Sequence, residues 1–199
     1  MGRHKIISDE KLLKGARECF LEFGPNVSTE VIANRLGVSQ ATLFKRFHAK
    51  EDMMIAALAP SSHPDWIEML AQGPDDRDLR EQLCEIATNL NDFFEEIFPR
   101  IAILMVSGFD HKKFFSGTHV PPLVIIVKQL AIWFRKAHKK GLIRKIHANA
   151  TAYTLVGALH SRILVQSMSS YSLVPLKSEV HIDNLVGTLL NGITEGGKR

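Results

Sequence analysis

Apolar residues recur along this chain at intervals of three and four, the spacing of helices, almost from end to end. Between Ser8 and Phe23 they fall at Leu12, Ala16, Cys19, Phe20 and Phe23, one face of a helix that Gly24-Pro25-Asn26 stops. Ser28 is placed to cap a short helix reaching about Leu36, Gly37 breaks it, and Ser39 caps a second one through Phe47. A fourth helix fits Lys50 to Leu58 and ends at Ala59-Pro60. Past the linker-like stretch Ala59–Pro64, the pattern predicts a short helix over 65–72 and a long amphipathic one over 76–98. Leu79, Leu83, Ile86, Leu90, Phe93 and Ile97 form the stripe of the long helix. Pro99 suits the first turn of a separate helix over 100–106, and 108–122 reads as a loop. Residues 123–138 are apolar on nearly all sides, which suits a central helix closed by Gly141. Helices over 149–168 and 178–193 complete the pattern, the last with Ile182, Leu185, Leu189, Leu190 and Ile193 on one face. No alternating strand pattern, internal repeat or low-complexity run interrupts it. The expected fold class is all-α, with one domain over residues 1–58 and a larger one over 65–199.

Composition narrows the picture only modestly. The 199 residues carry 45% hydrophobic and 23% charged residues, an ordinary globular balance. A formal net charge of +4 is compatible with nucleic-acid binding but too small to argue for it. Cys19 and Cys84 sit in apolar helical patterns, which predicts buried free thiols rather than a disulfide. The basic start is followed by no apolar signal core, and the apolar runs 101–106 and 123–127 are far too short for a bilayer. A soluble, cytoplasmic protein without membrane attachment is expected. The chain also lacks the nucleophile elbow, phosphate-binding glycine loops, zinc-protease helix and paired-cysteine metal motifs. No enzymatic activity, cofactor or metal is therefore expected; His111 and His119 merely flank the loop.

The informative stretch runs from Ser28 to Phe47, STEVIANRLGVSQATLFKRF. Two short helices in a tight turn need a small residue where they approach, and Ala33 supplies it. They need a left-handed position, which Gly37 tolerates. They need apolar contacts to fix their angle, and Ile32, Leu36, Val38 and Leu43 stand at workable spacing. This is the pattern of a helix-turn-helix, whose second helix enters the DNA major groove. At 100° per residue, Leu43 and Phe47 take the inner arc of that helix. Ala41, Thr42 and Lys45 then point outward, with Gln40, Phe44 and Arg46 on the flanks. Gln and Arg can pair with adenine and guanine edges, and Thr42 can reach a phosphate or a thymine methyl. Double-stranded DNA is the expected partner.

The segments LLKGARECFLEFG, LGVSQATLFKRF and HAKEDMMIAAL, spanning about Leu12 to Leu58, resemble the tetracycline-repressor (TetR) family of transcriptional regulators. The resemblance implies an N-terminal three-helix DNA-binding domain followed by a larger helical domain for ligand binding and dimerisation. It implies that Lys50, at the head of the following helix, meets a DNA phosphate, and that Ser28 and Thr29 touch the backbone. With Ser39, Gln40, Ala41, Thr42, Phe44, Lys45 and Arg46, these form the expected DNA-contacting set. Family members usually carry Tyr where this chain has Phe44, so one phosphate hydrogen bond is expected to be missing. Beyond Leu58 the resemblance is architectural. It implies a homodimer through the helices at about 149–168 and 178–193, where Gly157, Ala158 and Ser161 are small enough for close approach, and hence a palindromic operator.

The resemblance further implies an effector pocket among the middle helices, which contribute Trp66, Met69, Phe93, Phe94, Phe98, Met105, Phe109 and Trp133. Phe94, Phe98, Met105 and Trp133 are the candidate lining, suited to an apolar or aromatic small molecule. The expected function is a ligand-responsive regulator that leaves its operator when that effector binds. The alternative is a constitutive dimeric DNA-binding protein with no effector.

Overall fold

A computed structural model describes residues 7–59, 64, 66–108, 121–168 and 177–193 of the chain. The described residues form nine α-helices and no strand, the expected all-α class. These are α1 (Asp9–Phe23), α2 (Thr29–Leu36), α3 (Gln40–Phe47), α4 (Lys50–Leu58), α5 (Trp66–Gln72), α6 (Leu79–Val106), α7 (Pro122–Lys139), α8 (Ala148–Met168) and α9 (Ser178–Ile193). Most of the expected linker and loop, with Phe109, His111 and His119, lies outside the described residues, as does the side chain of Ile193. No helix among the described residues is long and apolar enough to cross a membrane.

By packing, the chain divides into two compact units: Met1–Pro60 with Ile97–Lys113, and Ser61–Glu96 with Phe114–Arg199. In the N-terminal unit, α1 lies against α2 and α4, and α3 against both α2 and α4. Its core is built by Leu12, Ala16, Cys19 and Phe20 of α1, Ile32 and Ala33 of α2, and Leu43 of α3. Met53, Met54, Ala57 and Leu58 of α4 and Leu104 of α6 close it. In the C-terminal unit, α7 packs on α5 and α8, and α8 on α9. Ile126, Leu130, Trp133, Phe134 and Ala137 of α7 and Ala152, Leu155, Leu159 and Ile163 of α8 are buried there.

One sequence expectation is corrected. Pro99 does not open a new helix; it lies inside α6, which continues to Val106. The spacing of Leu83, Ile86, Leu90, Phe94, Ile97, Ile101 and Leu104 explains why. The three-and-four stripe runs unbroken past Pro99, so burial along it outweighs the hydrogen bond that proline removes. Pro99 itself is exposed, where water can serve the carbonyl left without an amide. Elsewhere the chain punctuation acts as expected. Gly141 takes φ +77° and donates to the His138 carbonyl, while Leu142 donates to the Ala137 carbonyl at 3.0 Å, closing α7. Cys19 is buried, but Cys84 is only half-buried.

Candidate nucleic-acid interface

The helices of the N-terminal unit begin where their serines dictate. Ser8, Ser28 and Ser39 have extended backbones, and each side chain accepts from the amide three residues on, at Lys11, Val31 and Thr42. Each bond satisfies one of the amides that a helix start leaves without a partner. Between α2 and α3, Gly37 adopts the left-handed conformation, φ 64° and ψ 33°. Its amide and that of Val38 close back on Asn34 and Ala33, so the chain reverses within a few residues. Ile32, Ala33 and Leu43 are fully buried where α2 and α3 meet. Leu36, Val38 and Phe47 are partly buried against the same core. The geometry is a helix-turn-helix with α3 as its second helix.

The exposed side of α3 carries Gln40, Ala41, Phe44, Lys45 and Arg46, with Thr42 half-buried. Thr29 Oγ1 donates to Gln40 Oε1 at 3.0 Å, which ties the heads of α2 and α3 together. That bond orients the Gln40 amide and leaves its nitrogen free to donate outward. Ser39 Oγ and Thr42 Oγ1 lie 2.9 Å apart and share a hydrogen bond. Arg46 pairs with Asp9 in the first turn of α1. Its guanidinium is thus held at the edge of α3 rather than extended from it. Phe44, a large apolar ring, is 42% exposed on this side.

Lys50 is the first residue of α4 and is half-buried. The α4 N-cap, Ala49, supplies no side-chain bond to the first turn of α4. The chain reaches that position through His48, a non-glycine residue at φ 57°, in the sparsely populated left-handed half of backbone space. Ser28, Thr29, Ser39, Gln40, Lys45 and Lys50 therefore stand at the starts of α2 and α4 and along α3. That arrangement offers helix N-termini, amides and cations to an anion.

Several residues that shape this surface were not singled out from the sequence. Gly15 lets Leu36 of α2 close onto α1: a β-carbon there would come within 2.3 Å of Leu36 Cδ2. A glycine inside an otherwise strong helix costs about 1 kcal/mol against alanine, and that cost was the available signal. Arg17 donates through Nε to the Ala57 carbonyl at 2.7 Å, linking α1 to the end of α4. Arg35 pairs with Glu22 and lies over the Phe23 ring, its centroid 5.8 Å away. The Glu22 hydrogen bond raises the Arg35 pKa above its ordinary value. Burial pushes the Cys19 thiol up, which keeps it protonated and unreactive.

The four residues expected to line an effector pocket are divided between the units. Phe94 and Trp133 are buried in the C-terminal unit. Phe98 and Met105 belong to the N-terminal unit, and Met105 is 64% exposed. A cleft of about 90 Å³ in the C-terminal unit has Trp66, Met69, Ile86 and Trp133 on its apolar side and Asp75, Arg77, Glu85 and Asn89 on its polar side. Of the four, only Trp133 reaches it. Phe94 instead stacks edge-on against His160, 5.5 Å between centroids.

Residues 12–57 match the model of a family described as bacterial regulatory proteins, tetR family. Solved structures share the fold over nearly the whole chain. A protein assigned to the TetR-family transcriptional regulators of Mesorhizobium loti aligns with a TM-score of 0.76 at 21% identity, over 94% of this chain and 96% of its own. SmeT, the repressor of the Stenotrophomonas maltophilia multidrug efflux pump SmeDEF, aligns with a TM-score of 0.63 at 18% identity, over 96% and 93%. A complex of SmeT with triclosan gives 0.59 at 18% identity, over 94% and 92%. No curated protein matches the chain. Residues 12–57 are thus similar to the N-terminal domain of the tetR family of bacterial regulatory proteins, and nearly the whole chain shares the fold of solved structures described as regulators of that family.

Proposed function

We propose that the protein is a repressor that binds a palindromic operator as a homodimer, without catalytic activity, and leaves it when a small apolar or aromatic molecule binds. The observation that carries this is the helix-turn-helix surface. Gln40 and Arg46 flank α3 as base-reading groups, Ala41 and Thr42 meet thymine methyls, and Phe44 packs on the sugar edge. Ser28, Thr29, Ser39, Lys45 and Lys50 hold phosphates. Arg46 must give up Asp9 to reach a base.

The dimer reading is supported by the outward side of α8. Tyr153 is 64% exposed, Val165 is exposed, and Gly157 has nothing within 4 Å of where its β-carbon would stand. A second copy of α8 can approach closely at such a position. Binding of a small aromatic molecule is supported by SmeT, similar in fold, being found in complex with triclosan. The C-terminal cleft, at about 90 Å³, is below the roughly 300 Å³ of ordinary ligand sites, so a ligand must open it. That small volume is also what favours the constitutive dimer as the second reading.

Selection from random-sequence duplexes tests the first half: an inverted repeat with half-sites one or more helical turns apart should be enriched. A thermal-shift screen of apolar and aromatic compounds, followed by operator titration with each hit, tests the second. Coupling of about 1–3 kcal/mol lowers operator affinity roughly 5- to 150-fold. Hits that stabilise the protein but leave operator affinity unchanged favour the constitutive reading.

A further inference from the structure

The charge of this chain is divided very unevenly. Between Asp110 and Glu179 there is no carboxylate, yet that stretch holds 11 Lys and Arg; the remainder holds the other 14 and all 21 Asp and Glu. The cations are densest where α7 ends and α8 begins. Arg135, Lys136, Lys139, Lys140, Arg144 and Lys145 are all exposed there, and none forms an ion pair among the described residues.

Some of these cations have structural work. Lys136 Nζ donates to the Ala71 and Gln72 carbonyls at 2.7 and 3.3 Å, and Lys140 Nζ to the Pro74 carbonyl at 2.6 Å. Arg135 donates to Asn149, and Arg144 to the Gly192 carbonyl. Those partners are neutral oxygens, so the positive charge stays uncompensated. Asp75 feels the charge of Lys140 but is bonded to Arg77. Charges in the last turn of α7 complement its dipole. Lys145, beyond the helix, cannot do so, and the pairs Arg135/Lys139 and Lys136/Lys140 repel at the i, i+4 spacing. Stability therefore accounts for only part of the cluster, whereas a dense external anion accounts for the crowding of like charges and for Lys145.

We infer that the corner between α7 and α8 is a second nucleic-acid surface that holds the phosphate backbone of duplex DNA without regard to sequence. Duplex DNA carries a charge every ~1.7 Å of its axis, so it offers several phosphates at once to such a group of cations. A membrane site would set apolar residues among its cations; here only Leu142 is an exposed large apolar side chain within the corner. The surface lies in a different unit from the helix-turn-helix.

The test is lysine-acetylation footprinting of the full chain, alone and with excess random-sequence duplex at low salt, read by mass spectrometry. Lys139 and Lys145, which make no hydrogen bond among the described residues, should be protected along with Lys45 and Lys50. The variant K139Q/K145Q should bind random duplex with a salt slope smaller by about 1.8, at about 0.9 per lost phosphate contact. Lys139 and Lys145 left unprotected, or an unchanged slope, overturns the inference. Stronger protection of these two lysines by phosphatidylserine vesicles than by duplex also overturns it, in favour of a membrane. Protection at Lys139 and Lys145 with none at Lys45 and Lys50 would support this surface while refuting the helix-turn-helix reading.

Discussion

The two units of this protein rely on a different balance of side-chain bonds. In the N-terminal unit, α1, α2 and α3 each start on a serine whose hydroxyl caps an amide three residues away. In the C-terminal unit, the polar ties run between residues far apart in the chain. Arg162 of α8 reaches Asn91 of α6 at 3.2 Å and Ser178 at the head of α9 at 3.2 Å. Arg80 of α6 pairs with Asp183 of α9 at 2.6 Å, and Lys136 of α7 closes the end of α5. Local caps fix where a helix begins; distant ties fix which helices lie together. The N-terminal unit adds to its serine caps a few distant ties of its own, from Arg17 to Ala57 and from Arg46 to Asp9.

The largest expected effect comes from the N-terminal core. Leu43→Ala empties a fully buried site between α2 and α3 and should cost about 2–5 kcal/mol in chemical denaturation, with loss of DNA binding. A loss below about 1 kcal/mol would mean that α3 is not fixed by this contact. In the C-terminal unit, Arg162→Ala strips the buried Asn91 carbonyl of its donor and should cost about 1–3 kcal/mol, without altering which operator is preferred. Changed operator preference would show that the two units are not built as separately as the bonds suggest. Ser39→Ala removes a cap and the partner of Thr42, and should cost about 1 kcal/mol.

Two smaller effects sharpen the contrast. Asp9→Ala breaks an exposed pair worth under about 1 kcal/mol, yet frees Arg46. Operator affinity should rise while thermal stability barely moves; a fall in affinity would mean that Asp9 positions Arg46 for DNA. In the C-terminal unit, burial and then the neighbouring Arg162 hold the His181 pKa below its ordinary 6.5. As pH drops below 6.5, the unfolded chain takes up a proton that the folded imidazole resists, so stability falls; above 6.5 the group contributes nothing. His181→Gln should flatten that acid-side decline in a denaturation series, and an unchanged decline would rule the residue out.

The same contrast explains what could be read in advance. Helix starts at Ser8, Ser28 and Ser39, the turn at Gly37 and the stop at Gly141 are local chemistry, and all were legible. The exposure of Ala41 and Lys45 followed from the angular period of α3, whereas Thr42, expected outward, is half-buried. Pro99 misled because a local rule for helix starts competes with a stripe that continues beyond it. The Asp9–Arg46 pair was illegible because it joins α1 to α3 through folding, not through spacing. So was the division of Phe94 and Trp133 from Phe98 and Met105, which depends on how α6 is shared between two cores.

The central claim is that α3 reads bases while the start of α4 holds phosphate. Titration of a selected operator and its single-base variants with the unmodified protein, Gln40→Ala and Lys50→Ala, across a salt series, tests it most directly. Gln40→Ala should change the preferred base at one position in each half-site. Lys50→Ala should weaken all sequences alike and reduce the salt slope by about 0.9 per half-site. Affinities and preferences unchanged in both variants would contradict the account.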